Sequence, residues 1–173
     1  MKIILVVNDL VTATNFRKDL MKTLHNLGHE VVLISPRHSN IVNSSEILND
    51  SKKLSYRHIH IFINRVSLNL FVSLKYILFL SKILKSERPD RVLLYTPKIV
   101  IFGSIASRIA GVHKVYSTIN GLGYTFASQS FKAKFLSVLI KPLFKVALSF
   151  NKKVFFQNSD DRNYFLTNTL VDS

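Results

Sequence analysis

The sequence predicts an α/β fold: a Rossmann-like, doubly wound parallel sheet in a single domain. Three observations predict it. Short continuous apolar runs of strand length alternate with segments of helical period, and β-α-β units in a row wind right-handed crossovers onto a parallel sheet. A chain of 173 residues that is 47% hydrophobic can bury about 70% of its unfolded surface in one core. It has no cysteine, so it needs no disulfide framework and has no thiolate zinc site or thiol nucleophile.

The elements follow in order. Residues 3–7 form a continuous apolar run, the first strand. Phe16, Leu20, Leu24 and Leu27 recur at helical spacing, predicting a helix over about 15–27 that stops at Gly28. Residues 31–34 are the second strand, ended by Pro36, and 37–54, polar and rich in Asn and Ser, read as a loop. Residues 59–63 are the third strand and 67–86 the second helix. Pro89 and Asp90 turn the chain into a fourth strand, 91–95. Thr96 then places a capping hydroxyl before Pro97 at the first helical position, and Phe102, Ile105, Ala106 and Ile109 carry the third helix to Gly111. Residues 114–119 are the fifth strand, about 131–150 the fourth helix and 154–157 the sixth strand. A last helix starts near Asp160. No internal repeat and no second domain is evident.

Charge narrows the partners. Lys and Arg number 24 against 10 Asp and Glu, a net charge of +14. Between Asp90 and Asp160 there is no acid at all, and the basic half is also the more apolar half. Such a field attracts phosphates, whether of nucleic acid, lipid headgroups or a phosphorylated substrate. No nucleic-acid reading module and no interleaved basic–aromatic stripe is present, which disfavours nucleic acid. The apolar start is cut to five residues by Asn8 and Asp9, with no small-residue cleavage site, so it reads as a strand and not as a signal peptide. Residues 66–84 contain Asn69, Lys75 and Lys82 and fall short of the ~20 apolar residues of a span. The expectation is a chain kept in the cytoplasm.

A doubly wound sheet binds ligands outside the carboxyl ends of its strands, at the topological switch point. The loops there are 8–14, 96–98, 120–124 and 157–161. The first has no glycine, which disfavours a dinucleotide site, and no P-loop is present; no cofactor is expected. That loop offers Asn8, Thr12 and Thr14 to sugar hydroxyls, or Thr12 and Thr14 simply cap the first helix. The Thr96 helix start, with Lys98 beside it, is a natural phosphate cradle, or an ordinary capped helix. Gly121 and Gly123 bracket Leu122 and allow a sharp turn that presents N–H groups to an anion. The six histidines lack zinc spacing, so no metal is expected. In the fourth helix Lys134, Lys141, Lys145 and Lys152 are separated by 7, 4 and 7 residues. They form a narrow stripe on a broad apolar cylinder if the helix reaches Lys152, the pattern of an interfacial helix at an anionic membrane surface or of a core-packed helix with a lysine-rich solvent face.

Four stretches together resemble the N-terminal, acceptor-side half of GT-B-fold glycosyltransferases of family 4, in the branch that builds bacterial surface polysaccharides. They are Phe16-Arg17-Lys18-Asp19-Leu20 leading to Gly28-His29-Glu30-Val31, and residues 89–98 ending in Thr96-Pro97-Lys98. The third runs from Gly103 to Val112 and on to Gly121-Leu122-Gly123-Tyr124. The fourth is residues 154–161. The resemblance implies sugar transfer from a nucleotide-sugar to an acceptor, often a polyprenyl-diphosphate-linked sugar, at the cytoplasmic face of the membrane. Two departures matter. The family's donor-binding half, with its paired glutamates seven residues apart, has no counterpart, because Glu30, Glu46 and Glu87 are the only Glu. Asn120 stands at the position where many relatives carry a catalytic His.

The resemblance therefore implies one N-terminal domain over 1–173 without its donor-binding partner: a fragment, or one subunit of a split enzyme. Its expected acceptor site comprises Asn8, Thr12, Thr14, Thr96, Lys98, Asn120, Gly121 and Gly123, with Arg65 a further candidate for the diphosphate. Lys134, Lys141, Lys145 and Lys152 are the expected membrane contact. The nucleotide-sugar would be held by a missing domain or a partner chain. The alternative is a non-catalytic membrane-anchoring subunit of a split glycosyltransferase.

Overall fold

The structure, a computed structural model, describes residues 1–36, 56–61, 70–121 and 131–171. The strands are β1 (Lys2–Val6), β2 (Glu30–Ser35), β3 (Arg57–His60), β4 (Arg91–Tyr95), β5 (Val115–Ile119) and β6 (Lys153–Phe156). The helices are α1 (Leu10–Asn26), α2 (Leu70–Glu87), α3 (Pro97–Ile109), α4 (Phe131–Leu148) and α5 (Ser159–Thr167). The strands lie in the order β3-β2-β1-β4-β5-β6, and every neighbouring pair is parallel. This is the doubly wound sheet expected from the alternation of runs.

Alternate residues of β1 serve two cores. Ile4 and Val6 join Leu80, Leu84, Ile99, Phe144 and Phe165 under α2 to α5. Ile3, Leu5 and Val7 join Leu10, Ala13 and Met21 of α1. Burial on both faces is why the strand reads as a continuous apolar run. β6 lies at the edge of the described sheet, and its Phe155 is 50% exposed.

Helix α1 departs from expectation in extent and in phase. It begins at Leu10, five residues before the expected start, because the Asp9 carboxylate accepts the Val11 N–H (3.0 Å) and caps it. Phe16 and Leu27 are 70% and 66% exposed, whereas Leu10, Ala13 and Met21 are buried. The inward stripe is thus Leu10, Ala13, Arg17, Met21 and Leu24, and the charged Arg17 at its centre hides it from an apolar-period reading.

Helix α4 stops at Leu148, short of Lys152. Asn151 ends it. Its amide accepts from the buried Ser117 hydroxyl (2.6 Å) and donates to Ser104 Oγ (2.7 Å) and to the Ala147 carbonyl (2.9 Å). The Lys152 N–H then bonds the Val115 carbonyl at 2.7 Å and starts β6. Pro142 sits inside α4, where it removes one helical hydrogen bond. The loop expected over 37–54 lies outside the described residues.

An ionic clasp ties the amino ends of the strands together. Glu87, at the end of α2, accepts from both guanidinium nitrogens of Arg57 and from Lys2 Nζ (3.1 Å), while Glu30 lies 3.3 Å from Lys2 and 3.5 Å from Arg57. Hydrogen bonds from Arg57, then from Lys2, hold the Glu87 pKa down to about 2 against the opposing effect of burial.

Candidate functional site

β1 and β4 are neighbours whose chains leave the sheet in opposite directions. β1 feeds α1 on one face and β4 feeds α3 on the other. The crevice between their carboxyl ends is the switch point of this sheet. Two cavities among the described residues lie elsewhere. One, of about 460 Å³, lies among α4, β6 and α5, lined by Lys145, Lys152, Lys153 and Arg162 among others. The other, about 320 Å³, lies near the amino edge beside Arg88 and His113. The topology and the chemistry of the switch point, and not cavity size, locate the candidate site on an open shelf.

On that shelf Thr96 is the most constrained residue. Its φ of 73° and ψ of 145° place a β-branched side chain in a region that is essentially glycine's. Its hydroxyl does not cap α3, contrary to the sequence expectation; the Thr96 carbonyl does begin the helix by accepting the Val100 N–H at 2.9 Å. Turning the backbone this way points Oγ1 inward, where it is buried with no hydrogen-bond partner among the described residues. The amino end of α3 is therefore left without a side-chain cap. Lys98 follows, half-buried, with its ammonium 5.9 Å from the Phe102 ring and its pKa lowered by burial.

The other expected residues divide. Asn8 follows β1 and is half-buried. Thr12 and Thr14 belong to α1 itself and not to a loop, and the Thr14 hydroxyl bonds the Leu10 (3.2 Å) and Val11 (3.0 Å) carbonyls. Asn120 and Gly121 follow β5 at the shelf, and Gly121 takes a φ of 117° that its lack of a Cβ permits. Arg65 and Gly123 lie outside the described residues. Among the described residues no group of three His, Asp or Glu could hold a metal ion.

Arg17 is the shelf residue that the sequence reading left out of the site. From α1 its guanidinium stacks 4.3 Å over the ring of Tyr95, the last residue of β4. Asn120, in the amide orientation that satisfies both its ends, donates to the Thr118 carbonyl (3.1 Å) and accepts from Arg17 Nη2 (2.8 Å). A charged residue in phase with a core stripe was the available signal.

The lysines of the expected stripe have different settings where they are described. Lys141 is half-buried against α5, donating to Asn168 Oδ1 at 2.8 Å with its ammonium 5.4 Å from the Tyr164 ring. Lys152 lies beyond the helix, and the side chain of Lys134 lies outside the described residues. Lys145 remains exposed on α4. None of the described helices is long and apolar enough to cross a membrane. Among the described residues an exposed apolar helix face lies on α2, where Leu74, Leu78 and Phe79 are 51%, 47% and 52% exposed among the exposed Lys75, Lys82 and Lys85.

Comparison with known proteins agrees with this architecture. Over 150 residues the chain is 28% identical to the N,N'-diacetylbacillosaminyl-diphospho-undecaprenol alpha-1,3-N-acetylgalactosaminyltransferase of Campylobacter jejuni, covering 87% of this chain and 38% of that protein. Over 106 residues it is 30% identical to an Escherichia coli UDP-Gal:alpha-D-GlcNAc-diphosphoundecaprenol alpha-1,3-galactosyltransferase, covering 61% of this chain and 26% of that one. The chain thus spans well under half the length of these relatives. The crystal structure of a glycosyltransferase from Rickettsia africae superposes with a TM-score of 0.61 at 21% identity, over 99% of this chain and 40% of that one, a likeness of fold. A family model described as glycosyl transferase 4-like matches residues 2–158, which contain all six described strands of the sheet whose switch point carries the shelf, and the chain belongs to that family.

Proposed function

We propose that this chain is the acceptor-binding half of a glycosyltransferase that adds a sugar from a nucleotide-sugar to a polyprenyl-diphosphate-linked acceptor in polysaccharide biosynthesis. The observation that carries the reading is the amino end of α3: a helix of 13 residues without a side-chain cap, a buried Thr96 hydroxyl with no partner among the described residues, and Lys98 beside it. A helix dipole and a cation at a switch point suit a phosphate. The two relatives described above are both named for sugars on a diphospho-undecaprenol, which supports a diphosphate-bearing acceptor. Asn8 would meet a sugar hydroxyl, with Thr12, Thr14, Asn120 and Gly121 around it.

Donor binding in this reading comes from a second half, covalently joined or separate. Holding two reactants in register can supply about 7–11 kcal/mol of a barrier, and a chain that forms one wall of a cleft supplies little of it. Membrane contact, at the cytoplasmic face, is carried by the lysine-flanked apolar face of α2 together with Lys145. The test is direct. The 173-residue chain should bind a short polyprenyl-diphosphate analogue, bind UDP-sugars weakly or not at all, and transfer no sugar until a matching donor-binding half is added. Transfer by the chain alone would refute the division of labour. Recruitment of a donor-binding chain with no affinity for the analogue would favour the membrane-anchoring alternative.

A further inference from the structure

Arg17 occupies a position where packing alone calls for an apolar residue. On the inward stripe of α1 its companions Leu10, Ala13 and Met21 are 2%, 0% and 1% exposed. A guanidinium in that phase is costly unless its charge is used. Its Cζ lies over the Tyr95 ring, 4.3 Å from the centroid. Nη1 donates to the Phe16 carbonyl at 3.0 Å and Nη2 to Asn120 Oδ1 at 2.8 Å. A guanidinium has five N–H donors, so three remain. Among the described residues no carboxylate pairs with it, since the ion pairs there join Lys2 and Arg57 to Glu30 and Glu87 at the opposite edge of the sheet. The result is a planar, charged fork, held on three sides and uncompensated, next to the uncapped end of α3.

We propose that Arg17 binds the diphosphate of the ligand at this shelf, and that Tyr95 and Asn120 are its positioning residues. The inference rests on the acceptor-binding reading above and adds to it the residue that grips the anion. A diphosphate offers paired oxygens that match a guanidinium edge, which a lysine ammonium meets only as a point charge. Arg17 approaches from the α1 face and Lys98 with the α3 amino end from the other. A diphosphate spanning the crevice would be held from both faces.

The test measures binding of inorganic diphosphate to the whole 173-residue chain by titration calorimetry at fixed low salt, with farnesyl diphosphate and UDP as competitors. Arg17→Ala should weaken binding about tenfold or more, and Arg17→Lys by about three- to tenfold, because the charge stays and the fork is lost. Asn120→Asp, which sets a carboxylate against the guanidinium, should also weaken it. Lys18→Ala removes the same charge from the exposed neighbouring position and should change binding less than about twofold. If Arg17→Ala does not melt cooperatively, Arg17→Lys and Asn120→Asp carry the comparison. Equal binding by the Arg17 and Lys18 variants would overturn the role of Arg17 and leave the acceptor-binding reading standing. No binding of any diphosphate by the parent chain would overturn both. Displacement by farnesyl diphosphate supports a lipid-linked source; displacement by UDP alone would reassign the shelf to the nucleotide.

Discussion

At the scale of single residues, the shelf is built against local preference. A β-branched Thr96 at φ 73° strains the backbone by about 1–3 kcal/mol, and such strain clusters where ligands bind. Thr96→Gly relieves it and removes the buried hydroxyl without a partner. We expect that variant to gain about 1–2 kcal/mol of stability, read as a rise in Tm, and at the same time to bind diphosphate more weakly. A rise in stability with unchanged binding would make the strain incidental. Thr96-Pro97 reads as a capped helix start in the sequence because the residue types suit one. Only the backbone angles reveal that the hydroxyl points inward instead.

At the scale of elements, one contact sets how closely α3 approaches the sheet. A Cβ on Gly103 of α3 would lie 2.7 Å from Cδ2 of the fully buried Leu94. Gly103→Ala must therefore displace the buried Leu94 side chain or part α3 from β4, at a cost of about 1–3 kcal/mol. In a domain of this size that lowers Tm by about 2–4 °C per kcal/mol, and calorimetry checks it. The amino-edge clasp predicts a pH dependence. Glu87 titrates near 2 in the folded chain and near 4.5 when unperturbed. The folded state therefore holds fewer protons, and the clasp's contribution is full above about 4.5 and lost as pH falls toward 2. Lys2 and Arg57 are shifted upward by their hydrogen bonds to Glu87, so their share is lost only at strongly alkaline pH. Glu87→Gln should flatten the acid limb of the stability profile and cost about 1–2 kcal/mol at pH 7. An unchanged acid limb would show that other carboxylates govern it.

At the scale of the molecule, the proposed membrane contact would combine the basic charge with the exposed apolar face of α2. Lysines near an anionic surface contribute about 1 kcal/mol each, added to apolar insertion. We expect the chain to co-sediment with vesicles containing anionic lipid, less so at high salt. The pair Leu78→Asp and Phe79→Asp should abolish this while changing stability by only about 0.5 kcal/mol, since both side chains are about half exposed. A folded double variant that sediments like the parent would remove α2 from the membrane contact. Lys145→Glu tests the smaller share expected of α4.

The order of strands and helices was legible from residue type alone. Burial on both faces makes β1, β2 and β4 into continuous apolar runs, and Gly28, Pro36, Pro89 and Gly111 mark where each element must end. The family resemblance was legible too, because its motifs lie where chain geometry needs particular residues. Three things were decided only by the folded chain. The phase of α1 depended on Arg17, whose charge breaks the apolar period yet sits inward, because Tyr95 of β4 and Asn120 after β5, both far away in sequence, receive it. Two long-range contacts act on the described part of the α4 lysine series: α5 takes Lys141, and Asn151, bonded to Ser104 and Ser117, stops the helix before Lys152. The site itself was a set of separate loops until the sheet order placed β4 between β1 and β5. Local preference sets which segments are helix or strand, because a few residues settle each. What a side chain meets is set by residues tens of positions away, and only folding brings those together.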